Sequence, residues 1–169
     1  AEEKGHLGAE YLINNPPVAL GDVAANVNLD MPLVLYDFVD VIAFGAEHST
    51  LGPIAQQATA ALGVEITPDP IPEQGIFTRS DHYRFVQKGV PALFLITGFG
   101  ETPDGENGGE IFRNFLSTTY HSPADQPSLP IRYDAAAKFA YVNYLILRET
   151  ANVAERPHWN ESDIFGAGQ

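Results

Sequence analysis

Two adjacent carboxylates, Glu2 and Glu3, stand at the head of this chain, with Gly5 two residues further on. Asp30 closes an apolar alternating stretch, Asp81 and His82 follow Ser80, and Tyr120-His121-Ser122-Pro123 is followed by Asp125. Carboxylates and imidazoles of this kind can ligate a cation, move a proton, or orient another catalytic group. Each also has an ordinary use. Adjacent acids suit a solvated helix face, an aspartate before Met31-Pro32 suits a cap or turn, and a loop histidine suits plain exposure.

Hydrolysis with two metals sets definite demands on such groups. Each cation takes protein ligands while keeping a position open, and a water bridging the pair is acidified to a pKa of about 7. A separate carboxylate must take the proton and pass it to the leaving amine. Glu2 and Glu3 can divide these roles, because neighbours at a strand-to-helix corner point in different directions. Asp30 gains weight from lying at a strand's C-terminal end, the edge where open α/β sheets bind ligands. Asp125, four residues past His121, is placed to orient that imidazole. His82 reads as a ligand, a pocket hydrogen bonder or a cap. His6, His48 and His158 show no partner pattern and read as structural or surface residues.

Composition narrows the chemistry. With 169 residues, 44% of them hydrophobic, the chain suits one domain with a sizeable core. Nine basic against 22 acidic residues give a net charge of −13, and no Lys/Arg cluster exists to neutralise phosphates, which excludes nucleic acid. There is no cysteine, so a metal here is held by carboxylates and imidazoles. No apolar run reaches the roughly 18 residues of a membrane span. The start at Ala1, with neither an initiating Met nor a signal-like segment, reads as internal to a longer protein.

The elements that must position these residues follow from periodicity. Residues 3–13 predict a helix stopped by Asn14-Asn15-Pro16-Pro17. Val23, Ala25, Val27 and Leu29 alternate with polar or small neighbours, the period of a strand that delivers Asp30. Residues 40–46 predict a second strand, with 33–38 pairing ahead of it. Leu51, Ile54, Ala55, Ala58 and Leu62 give an amphipathic helix capped by Ser49 or Thr50 and ended by Gly63. The prolines of 67–72 make a loop. Residues 82–88 read as a short helix, 91–96 as a buried parallel strand, and 99–109 as a surface loop. Asp134 caps a long helix whose stripe Ala135, Phe139, Val142 and Ile146 faces the sheet, and the tail after Pro157 has no core pattern. The expected class is α/β, with residues 1–156 as part of one domain and 157–169 as a tail.

The blocks AEEKGHLG, VAANVNLDM, RSDHYRFVQKGVPAL and YHSPADQ, in this order, resemble the co-catalytic zinc aminopeptidases. That family includes bacterial leucyl aminopeptidases and, more distantly, glutamate carboxypeptidase II. The resemblance covers residues 1 to about 150. It implies part of a three-layer, mixed-sheet, phosphorylase/hydrolase-like zinc-exopeptidase domain whose N-terminal strands are missing. It implies Glu2 as general base, Glu3 and His121 as ligands of one zinc, and Asp30 as ligand of the other. Tyr120 would stand where it can hydrogen-bond the tetrahedral intermediate, and Asp81 and His82 beside the substrate pocket.

The implied activity is removal of N-terminal residues from peptides through a water bridging two zinc ions. The family pattern also needs a His and a bridging Asp upstream of the Glu-Glu pair. On that reading nothing in this chain fixes the metals about 3.5–4 Å apart. The isolated chain is then expected to bind zinc poorly, hydrolyse little, and self-associate through exposed apolar sheet surface. Two alternatives share the implied fold: a non-catalytic peptidase-like binding module and a glutaminyl cyclase-like zinc acyl transferase.

Overall fold

Residues 41–44 and 92–96 are apolar without alternation, so a strand built from either must be covered on both faces. In a computed structural model, which describes residues 2–166 apart from the Glu3 side chain, both are central strands. β1 (Asn26–Asn28), β2 (Asp40–Phe44), β3 (Glu65–Thr67) and β4 (Ala92–Thr97) form one sheet in the order β1-β4-β2-β3. Every residue of β2 and β4 is buried. β4 runs parallel to β1, with Val27 opposite Leu93, and antiparallel to β2, with Ile42 opposite Ile96. β2 and β3 are parallel. The strand expected at 91–96 is therefore parallel on one side only.

Five helices accompany the sheet: α1 (Leu7–Asn14), α2 (Leu51–Ala60), α3 (His82–Val86), α4 (Gly108–Thr118) and α5 (Tyr133–Asn152). The α5 stripe Ala135, Phe139, Val142 and Ile146 is buried as its spacing requires. It packs on α2, and Phe139 meets Phe38 edge-on at 6.0 Å. Arg132 takes the cap position of α5, while Asp134 lies inside the first turn and accepts from the Arg132 guanidinium at 2.8 Å. Among the described residues no helix is long and apolar enough to cross a membrane.

Residues 33–38 are not a strand. Their buried side chains, Leu33, Tyr36 and Phe38, do not alternate, and their carbonyls are satisfied without a ladder. Thr97 Oγ1 donates to Leu33 O at 3.1 Å, Arg132 N to Val34 O at 2.8 Å, and Lys138 Nζ to Phe38 O at 2.6 Å. The Tyr36 hydroxyl lies 2.7 Å from Gly98 O and pins the segment to the end of β4.

The loop after β4 is fixed by a buried carboxylate. Asp40 accepts from Thr67 Oγ1 at 2.7 Å and from Gly100 N at 3.0 Å. A Cβ at Gly98 would stand 2.1 Å from that carboxylate, so only glycine lets the loop pass. Phe99 is carried between these two glycines. α4 then starts at Asn107, whose side chain accepts from Glu110 N.

The tail does enter the core. Trp159 is buried, and its indole N–H donates to Gly89 O at 3.0 Å. Backbone bonds Thr50 N to His158 O (3.0 Å) and Asn160 N to His48 O (2.9 Å) clasp the segment in place. His48 Nδ1 lies 2.8 Å from Asp163 Oδ2, and its ring packs against Phe77 and Phe165.

Candidate active site

β1 ends two residues before Asp30, and the start of α3 lies beside it. Ser80 Oγ donates to Asp30 Oδ2 at 2.6 Å, and Asn28 Nδ2 donates to Ser80 Oγ at 2.8 Å. The same Asn28 amide lies 3.4 Å from His82 Nδ1. A chain of polar groups thus runs from the buried His82 to the Asp30 carboxylate, and Ser80 fixes the rotamer that Asp30 presents. The other Asp30 oxygen makes no hydrogen bond among the described residues. Ser80 carries no sequence signal beyond its neighbours, because a serine hydroxyl beside Asp-His fits any turn.

Backbone strain gathers around the same residues. The described non-glycine residues at positive φ are His6 (57°), Met31 (29°), His121 (53°) and Ser162 (67°). Three of these four stand within four residues of Glu2, Asp30 or Tyr120. Such conformations persist where the surrounding structure over-determines them, as at ligand sites.

His82 is fully buried between Phe77 and Phe94, with ring centroids at 5.1 and 5.4 Å. It does not line the cavity described below, and neither does Asp81, whose Oδ1 is buried without a hydrogen-bond partner among the described residues. The pocket contact expected of these two residues falls instead to Ser80. Burial pushes the His82 imidazole down from 6.5 to about 4. Between those values the unfolded chain binds the extra proton, so this contribution to stability is full above about 6.5 and is lost as pH falls toward 4. The shift corresponds to about 3 kcal/mol. Urea unfolding compared at pH 7 and pH 4 should show His82→Gln losing markedly less stability than the parent chain. An equal loss in both would remove His82 from the acid sensitivity.

A cavity of about 460 Å³ opens beside Asp30. Asp30 and Ser80 form one wall. Met31, Ile71, Ile76, Phe94, Ile96, Phe99, Phe112 and Leu116 make most of the rest, with Gln74, Arg79, Arg113 and Tyr120 completing it. Tyr120 ends the turn after α4, and its ring stacks on His121 at 3.7 Å. His121 itself is exposed.

Glu2 lies half-buried in a 3-10 turn, Glu2–Lys4, with Oε1 at 3.1 Å from His6 Nε2. That nitrogen is also 3.2 Å from Arg79 O, the carbonyl just before Ser80. His6 is therefore not an idle surface residue: it ties the Glu2 carboxylate to the segment that holds Asp30. The Glu3 side chain lies outside the described residues. Asp125 is exposed, and its carboxylate makes no hydrogen bond among the described residues, so it does not orient His121 there.

The family model described as Peptidase family M28 matches residues 1–146. The chain belongs to this family. M28 is a co-catalytic zinc peptidase family, and its members typically bind zinc.

The donor chemistry fits that metal: Asp30 offers a carboxylate oxygen that makes no hydrogen bond among the described residues and His121 an imidazole, with no thiolate in the chain. The donor count is short, because no three His, Asp or Glu side chains converge among the described residues.

Two solved structures of glutaminyl cyclase from Porphyromonas gingivalis share the mixed α/β fold. One has TM-score 0.51 and 19% identity, covering 88% of this chain and 46% of that one. The other has TM-score 0.50 and 18% identity, covering 88% and 49%. The M28 chain thus spans about half the length of the solved structures it matches. Comparison with curated proteins gives no match.

Proposed function

We propose that the protein containing this chain is a zinc-dependent exopeptidase that removes N-terminal residues from peptides. The observation that carries the reading is the apolar cavity opening directly beside Asp30, with Tyr120 and Ser80 on its walls. Asp30, His121 and Glu3 would hold zinc together with donors from the rest of the protein. When bound, zinc supplies Lewis-acid polarisation of the scissile carbonyl and lowers the pKa of water.

This chain's own residues have separable duties. The apolar wall excludes water and seats the side chain of the N-terminal residue. Ser80 holds the Asp30 carboxylate, and Glu2, aligned by His6, takes and returns the proton. Tyr120 hydrogen-bonds the oxyanion side of the reacting carbonyl. The eight apolar side chains of the walls suit an apolar side chain of the substrate, which supports the aminopeptidase reading.

The test uses the whole protein with zinc. Release of aniline from leucine anilide is expected, abolished by chelation and restored by added zinc. Cyclisation of a Gln-terminated peptide without anilide hydrolysis would replace this reading by the cyclase, and absence of zinc from the purified protein would replace it by a binding module.

A further inference from the structure

The cavity beside Asp30 carries charge that its apolar walls do not require. The chain has nine lysines and arginines against 22 acidic residues, and among the described residues four of the nine lie within 4 Å of a carboxylate. Arg132 holds Asp104 and Asp134, Arg148 holds Glu149, Lys138 holds Asp37, and Arg84 lies 3.9 Å from Glu10. Of the five that do not, Arg79 and Arg113 line the cavity. Arg79 Nη1 reaches only the Gln74 oxygens, at 3.4 and 3.5 Å. Arg113 lies 5.1 Å over the Phe99 ring. Among the described residues neither has a carboxylate partner.

We propose that this cavity selects peptides presenting a carboxylate next to the apolar residue it holds, with Arg79 and Arg113 as the receiving groups. Guanidinium is the side chain suited to this, because its planar fork matches a carboxylate and its weak hydration lets it lie on an aromatic ring until displaced. In a chain of net charge −13, the cavity thus gathers two guanidinium groups against one lining carboxylate, Asp30. The inference rests on the peptide-substrate reading above for its ligand class. The carboxylate has two sources, the C-terminus of a dipeptide or the side chain of an acidic second residue.

Equilibrium binding to the whole protein after zinc is removed by chelation, followed by calorimetry or NMR titration, separates these sources and does not depend on turnover. The probes are Leu-Ala against Leu-Ala-amide, and Leu-Glu-amide against Leu-Gln-amide. At least one acid is expected to bind about tenfold tighter than its neutral partner, the worth of a charge-assisted hydrogen bond. A preference in the first pair assigns the C-terminus and one in the second assigns the side chain. Arg79→Gln and Arg113→Gln should each bring that ratio toward one, while Arg→Lys at either position keeps part of it. Equal affinities in both pairs, or no binding of any probe, would overturn the proposal. Preferential binding without hydrolysis by the zinc-loaded whole protein would leave it standing and remove the peptidase reading instead.

Discussion

Replacing Glu2 by Gln in the zinc-loaded whole protein is expected to lower turnover of leucine anilide by about 10²–10⁴-fold, the range for losing a general base. Zinc content should not change. The substitution keeps the shape of the side chain and its contact with His6 Nε2, which lies 3.1 Å from Glu2 Oε1. It removes only the capacity to accept a proton. A ligand replaced in the same way would lose metal, so stoichiometric zinc by atomic absorption separates the two roles. Because a base acts on the proton in transit and not on substrate binding, its loss should act on kcat with little change in KM. Unchanged turnover in Glu2→Gln would end its assignment as the base.

What could be read from the sequence depended on whether the governing contacts were local. The strand at 92–97 and the helices at 51–60 and 133–152 declare themselves, since continuous burial and a 3.6-residue stripe are properties of each segment alone. Asp30 was legible because a strand end is a place that periodicity can locate. β3 escaped notice with only three residues, and α4 because it opens on Gly108-Gly109. The segment 33–38 was misread as a strand because its partners are the side chains of Thr97 and Lys138 and the backbone of Arg132, all more than 60 positions away.

The site shows the same division. Ser80 meets Asp30 across 50 positions and His6 meets Arg79 across 73. Neither contact leaves a trace in local spacing. Asp125, by contrast, was placed by local spacing alone, and the turn at Ser122-Pro123 does not bring its carboxylate to the imidazole.

The tail was the largest misreading, and Trp159→Ala is the measurement that weighs it. Trp159 keeps only 6% of its surface exposed, and its indole N–H satisfies Gly89 O in the turn between α3 and β4. Removing a buried indole costs the transfer free energy of the ring and leaves a cavity that its neighbours refill only in part. A loss of about 3–5 kcal/mol is therefore expected. Domains of this size have roughly 5–15 kcal/mol in total, so the variant should unfold at much lower urea. The loss should not stay local. Phe165 packs on Trp159 at 5.6 Å and on Phe77 at 5.3 Å, and Phe77 in turn covers His82. The tail thus supports the layer behind the polar chain that reaches Asp30.

Ile164→Ala is the matched control, because Ile164 lies in the same tail but is 74% exposed. It should shift stability by no more than about 0.5 kcal/mol, as surface substitutions do. Equal urea midpoints for the two variants would mean that the tail lies on the surface without stabilising it. A large gap between them would make residues 157–166 part of the domain that carries the site.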